Sequence, residues 1–437
     1  MSDLAAAIAA EVGGNASGSR TGPGSLPPAP ADPLAAAIAA EVGGGAPAAA
    51  APSAAAPGAP GPGGSRPGAG RVRVAVIGDE GVAAATAGHL ALLGFDVAWT
   101  SPRWAALAPY ANGVELVGLG TGRPQLVASL DEAVRGRDLI LLCCHATEHA
   151  AYAALLSGSL ADGQVVVLTP GRTGGALEFA EVLRAHCTTA RVVVGETETA
   201  VYTPAGRGPG RIEILVEKAE IRAAAFPATD NGALLHLLRQ LYPQVAEAEN
   251  VLDTSINNVG GVVHPAAMLL NSYATERAAA GEALVYYRDQ VNPTVANLVM
   301  EPLDAERVAV GKALGLRQVL TFGEWSAACF GHAAGSIRDT VASNPSYAGF
   351  GAPHDLLALG FVDDEVPNSL VPLVELGRLV GVPTPMTDSI IDLAAAMLRV
   401  DFRRGGRTLA RLGLAGLDHA ALLHHVNTAR SRVPIGV

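Results

Sequence analysis

Lysine is almost missing from this chain: Lys218 and Lys312 are the only two among 437 residues. Acids outnumber bases, 41 Asp and Glu against 30 Lys and Arg, for a formal net charge of −11. No basic stripe is left to neutralise phosphates, so no nucleic-acid partner is expected. Alanine, glycine and proline are abundant, and the preference for arginine over lysine reads as GC-rich coding, not as function. Cysteine is scarce as well. Cys143, Cys144, Cys187 and Cys329 show neither zinc spacing nor a disulfide framework, which points to a reduced, cytoplasmic compartment and no metal centre. No apolar stretch has the length and character of a membrane span, so no membrane partner is expected. Residues 4–10 are apolar, but the acidic Asp3 precedes them and no positive charge does, which argues against a secretory signal.

What is there begins with a biased leader. Residues 1–70 are rich in Ala, Gly, Pro and Ser, and the stretch from Asp3 to Gly13 returns from Asp32 to Gly43. Each copy reads as a short helix, with Asp3 and Asp32 as N-caps and Gly13 and Gly43 as C-terminal caps. Leu4, Ile8 and Val12 share a face, as do Leu34, Ile38 and Val42. Helices this short are marginal alone. The leader is therefore expected to be disordered, and its two copies offer a protein partner two docking helices.

Residues 71–228 read as a Rossmann dinucleotide-binding domain. Arg71 to Ile77 is a buried strand ending at Gly78. A helix from Val82 to Leu93 and a strand from Phe95 to Trp99 complete the opening βαβ unit. Arg137 to Cys144 and Gln164 to Leu168 are further parallel strands. The phosphate-loop positions that ask for glycine carry Gly78, Glu80 and Ala83. Alanine suits the last, but Glu80 brings a side chain and a like charge toward a pyrophosphate. Gly81 offers a turn shifted by one residue. The second strand ends Trp99-Thr100-Ser101-Pro102-Arg103 without the usual acid for the ribose hydroxyls. Ser101 and Arg103 tilt the cofactor toward NADP(H) over NAD(H). From about Asp230 to the end, residues 229–437 read as all-helical. Prolines and glycines punctuate helices of ordinary length, among them Gly232 to Tyr242, His264 to Ala280, Asp304 to Leu314, Leu370 to Val380 and Thr387 to Arg399.

The run Thr169-Pro170-Gly171-Arg172-Thr173-Gly174-Gly175-Ala176 resembles a segment of the opine dehydrogenase family (octopine/nopaline dehydrogenase type). Further segments resemble it in the same order: Glu196 to Thr199, His264-Pro265, Asn292 to Val295, Leu303 to Arg307, Val366 to Pro372, Gly381 to Pro385, and Gly406 to Leu409. The resemblance covers about residues 71 to 425. It implies an α/β Rossmann domain followed by an all-α domain, with the active site in the cleft between them. It also implies NAD(P)H-dependent condensation of an amino acid with a 2-oxo acid through an imine, and it allows a homodimer.

Imine formation and reduction need proton transfer near neutral pH, which suits histidine. The resemblance gives that part to His264, and a carboxylate from Asp364-Glu365 partners it. Glu365 aligns with the family's partner, and Asp364 serves if the register slips. A histidine before proline also commonly just satisfies a helix start, and an acidic pair commonly just begins a helix. Related enzymes carry an Arg-Tyr pair a few residues before the acids. Here it is Gly360-Phe361, so the guanidinium fork for a substrate carboxylate is missing. Arg288 or Arg338 is the candidate replacement. Arg172, Asn258, Tyr287, Thr294 and Tyr347 are candidate substrate residues, though each also suits packing or capping. His145 lies at a strand's carboxyl end, where ligands gather in such sheets. Two other readings stay open: a reductase acting directly on a 2-oxo acid or imine, and a non-catalytic interaction protein that has lost its dinucleotide at Glu80.

Overall fold

The computed structural model describes residues 71–428. The expected leader and its duplicated helices lie outside the described residues. Short valine- and leucine-rich runs, buried on both faces, form an eight-stranded sheet with helices packed against it. Its members are β1 (Arg73–Ile77), β2 (Asp96–Thr100), β5 (Gln125–Leu126), β6 (Leu139–Leu142), β7 (Val165–Leu168), β8 (Val193–Thr197), β11 (Ile221–Phe226) and β12 (Val245–Glu247). The order across the sheet is β12-β11-β8-β7-β6-β1-β2-β5. All neighbours are parallel except β8 and β11. Helices α1 (Gly81–Leu92), α2 (Leu130–Val134), α3 (His149–Leu156), α4 (Gly175–Ala185) and α5 (Asn231–Leu241) alternate with the strands. The order reverses around β1, where a doubly wound sheet opens its ligand crevice at the carboxyl ends of the strands.

Two features depart from the sequence reading. Strand β12 lies beyond residue 229, in the part read as helical throughout, and pairs with β11. Three residues are too few to display a strand period. A second, four-stranded sheet also packs over α1. It is built from β3 (Val114–Leu116), β4 (Gly120–Gly122), β9 (Tyr202–Gly206) and β10 (Arg211–Glu217), in the order β4-β3-β10-β9.

The helical part begins with α6 (Val251–Ile256), α7 (Gly260–Leu270) and α8 (Ser272–Ala279). The single helix expected from His264 to Ala280 is therefore two, broken at Asn271, and α7 starts one turn before His264. Gly260 and Gly261 explain the early start. A Cβ on Gly260 would collide with Glu365 and Arg172, so glycine lets this end of α7 lie directly against them. Then follow α9 (Glu301–Ala313), α10 (Phe322–Phe330), α11 (Ile337–Ser343), α12 (Val371–Val380) and α13 (Pro385–Leu398). This half contains three π-helical turns, Tyr286–Gln290, Ala296–Met300 and Val366–Leu370, the last two packed against α7; such turns recur at functional sites. This half has its own apolar core around Val262, Ala266, Tyr286, Val366 and Ile391.

Candidate active site

Four strands of the large sheet deliver their carboxyl ends to one edge. β1 leads to Gly78, β6 to His145, β7 to Arg172 and β8 to Glu198. Gly78 has φ +135°, and a Cβ there would collide with the Cys143 carbonyl, so only glycine makes this turn. Ala83 is fully buried against it and acts by close packing. Helix α1 opens at Gly81 with no side-chain cap, leaving its first backbone N–H groups free for an anion. Glu80 instead turns to His145, whose Nε2 lies 2.6 Å from its carboxylate.

The catalytic candidates converge. His264 Nδ1 lies 3.0 Å from Glu365 Oε1, and His264 Nε2 lies 3.2 Å from the Tyr287 hydroxyl. The imidazole stacks on Phe361 with ring centroids 4.1 Å apart. Arg172 donates through Nη1 to Glu365 and through Nε to Asp364 at 3.2 Å. Its backbone sits at φ +59°, a strained conformation for arginine and a common mark of a functional position. The two acids divide their duties. Glu365 faces His264, whereas Asp364 accepts from the Thr147 amide at 2.9 Å and approaches His145 at 3.8 Å.

The charges interlock. Burial by itself would raise the pKa of both acids. For Glu365, Arg172 and the His264 hydrogen bond override burial and hold it below the usual range. For Asp364, His145 and Arg172 hold it well below. Burial would lower His145, but the carboxylates of Asp364 and Glu80 beside it push it up to about 10. His145 is therefore cationic near neutral pH and offsets the Glu80 carboxylate.

Two cavities meet at Arg172. The larger, about 460 Å³, runs past Gly81, His145, Thr169, Tyr202 and Phe361. The smaller, about 150 Å³, is lined by His264, Tyr287, Asn258, Tyr347, Lys218 and Glu198. Asn258 donates to the Glu198 carbonyl at 2.6 Å, and Tyr287 stacks on Tyr347 at 3.9 Å.

Not every candidate arrives. Thr294 is exposed on the short helix Pro293–Val295 and lines neither cavity, because Asn292 caps that helix at the surface. Arg288 is exposed and spent on its neighbour Asp289, and Arg338 lines neither cavity, so neither replaces the missing fork. Gly360 cannot carry one. It has φ +65°, and a Cβ would lie 2.6 Å from the His145 ring. Ser101 and Arg103 stand at the end of β2, with Arg103 held by Asp79 at 2.7 Å and by Glu148.

Residues 247–398 match the family model described as NAD/NADP octopine/nopaline dehydrogenase, alpha-helical domain. Over 304 residues the chain is 39% identical to an opine dehydrogenase of Arthrobacter sp. (strain 1C), spanning 69% of this chain and 83% of that protein. The chain belongs to the opine dehydrogenase family. A vitopine synthase of Allorhizobium ampelinum is 26% identical, spanning 81% of this chain and 99% of its own. The fold is that of octopine dehydrogenase solved with NADH and L-arginine: TM-score 0.64 at 19% identity, spanning 80% of this chain and 98% of that one. As an opine dehydrogenase, this chain is an NAD(P)-dependent oxidoreductase of the reductive-condensation type, which sets aside the non-catalytic reading. No described helix is long and apolar enough to cross a membrane.

One buried side chain of this opine dehydrogenase escaped the sequence reading. Arg407, fully buried, reaches back from the C-terminal segment to Glu178 at 2.7 Å, the Gly171 carbonyl at 2.9 Å and the Thr173 carbonyl at 3.2 Å. It clamps both sides of Arg172. Its place in the Gly406 to Leu409 segment was visible; its burial was not.

Proposed function

We propose that the enzyme condenses the amine of an amino acid with a 2-oxo acid and reduces the imine to an N-(carboxyalkyl) amino acid. The observation that carries this reading is the His264–Glu365 pair beside the junction of two cavities. Gly78, the uncapped start of α1 and the packing of Ala83 fit a dinucleotide pyrophosphate. When bound, the reduced nicotinamide supplies a hydride to the imine carbon.

The chain's own residues handle protons and position. With Glu365 ionised and accepting from Nδ1, the Nε2 of His264 is the nitrogen free to exchange protons. It takes the proton that the attacking amine sheds and returns one to the departing hydroxyl as water leaves. Glu365 stabilises the imidazolium formed in between. Arg172 has its Nη2 free of the two acids, and this group suits the carboxylate of the 2-oxo acid. Asn258, Tyr287 and Tyr347 line the chamber that holds the reacting pair.

NADPH is the preferred donor in this reading: Ser101 and Arg103 follow β2 where the usual acid would stand, and a 2′-phosphate would draw Arg103 from Asp79 and Glu148. Arg103→Ala should remove the preference. The free cysteines support a reduced, cytoplasmic setting, and the duplicated leader a protein partner. The test is product analysis from NADPH, a 2-oxo acid and a panel of amino acids. A secondary amine product, lost with His264→Ala by roughly 10²- to 10⁴-fold in kcat, is expected. Equal NADPH oxidation without any amine would show direct reduction of the oxo acid instead.

A further inference from the structure

The smaller cavity contains a pair of ionisable groups that the proton relay does not use. Lys218, one of the chain's two lysines, is only 5% exposed. Its Nζ donates to the Ala200 carbonyl at 2.6 Å and lies 5.7 Å from the Phe330 ring. Among the described residues it forms no ion pair, so two of its three donors are unused. Glu198 is 2% exposed. One of its oxygens accepts from the Arg222 amide at 3.1 Å and the other has no partner. Both residues line the cavity that His264 lines.

Burial dominates both groups. It lowers Lys218 to about 8 and raises Glu198 to about 8, against the pull of Arg222. Near neutral pH the prevailing forms are an ammonium and an uncharged carboxyl. Both then present donors to a small space walled by Trp325, Phe330 and Tyr347. Buried donors without an acceptor are costly, and a carboxylate would satisfy both. The expected product carries two carboxylates. Arg172 offers one cation, and Gly360 has removed the fork that relatives place near the acids.

We propose that Lys218 and Glu198 form a subsite for a substrate carboxylate within the His264 chamber. This rests on the condensation reading above. The carboxylate belongs to the amino donor or to the 2-oxo acid, and the test separates them.

Lys218→Met and Glu198→Gln are compared with the parent enzyme. An amino acid is set against its decarboxylated amine, and a 2-oxo acid against its amide. Each is measured as KM, or as Ki where the analogue is not turned over. Lys218→Met should weaken one carboxylate substrate about 10- to 100-fold while leaving its uncharged counterpart within about twofold. Glu198→Gln, which keeps a donor, should retain most of the affinity. Loss confined to the amino acid assigns its carboxylate to the subsite; loss confined to the oxo acid assigns that one. Equal loss for charged and uncharged partners, or no loss, overturns the proposal. NADPH fluorescence titration shows that each variant is folded. If the parent binds NADPH yet joins no amine to any oxo acid, the condensation reading fails, a result distinct from an unselective Lys218→Met.

Discussion

Glu365 accepts from three side chains at once: His264, Arg172, and Ser369 at 2.7 Å. A buried carboxylate keeps its charge only with such partners. Replacing it by glutamine preserves shape but leaves Arg172 with Asp364 alone and the imidazolium without its counter-charge. Glu365→Gln should lower kcat by roughly 10²- to 10³-fold, with NADPH affinity little changed, as stopped-flow turnover and fluorescence titration would report. An unchanged kcat would remove Glu365 from the relay. The sequence offered two adjacent acids. Their division of labour depends on which rotates toward α7, and no spacing rule contains that.

At the scale of elements, the site depends on how closely α7 approaches the turn after Glu365. Gly260 sets that distance. Gly260→Ala should force the helix away, costing about 1–3 kcal/mol of stability and a larger share of kcat, read together by chemical denaturation and steady-state rates. Gly360 sets a second distance. Restoring the relatives' arginine there should fail to create a carboxylate clamp, since a side chain at φ +65° meets His145 and Asp364. Gly360→Arg is expected to weaken binding of both substrates; tighter binding of either would contradict this account. Long periodic helices such as α9 and α13 were legible from their apolar spacing. The start of α7 was not, because His264-Pro265 imitates a helix beginning.

At the scale of the whole molecule, Arg407 ties the C-terminal segment to the loop that carries Arg172. Arg407→Met would leave Glu178 with only the half-exposed Arg411, and should destabilise the fold by about 3–5 kcal/mol, visible as a lowered Tm. Stability should also depend on pH. Burial raises Glu196 to about 7 and Glu198 to about 8, whereas unfolded glutamates ionise near about 4.3. The folded chain therefore holds extra protons between those values, and its stability falls as pH rises through that window. Lys218, lowered to about 8, acts oppositely and only above that value. Tm should decline by a few degrees between about pH 6 and 8, and Glu198→Gln should flatten the decline. A Tm that rises over this range would refute the assignment of buried, protonated glutamates.

The sequence by itself determined the alternation of buried strands and helices, and hence the Rossmann sheet. It also determined the ordered segments that mark the family, and the residue types, His264 with Asp364-Glu365, that suit proton transfer. These are local properties: period, turn chemistry and charge. Tertiary structure alone decided the rest. It turned Glu365 toward His264, tied up Arg103, Glu80 and Arg288 with neighbours, left Thr294 at the surface, and enclosed Lys218 beside Glu198. The pairings of Glu365 with His264, of Arg103 and Glu80 with their partners, and of Lys218 with Glu198 join residues tens of positions or more apart, whereas Arg288 pairs with its chain neighbour. Burial and pairing of charge are set by those contacts, and neither can be read from a single stretch of chain.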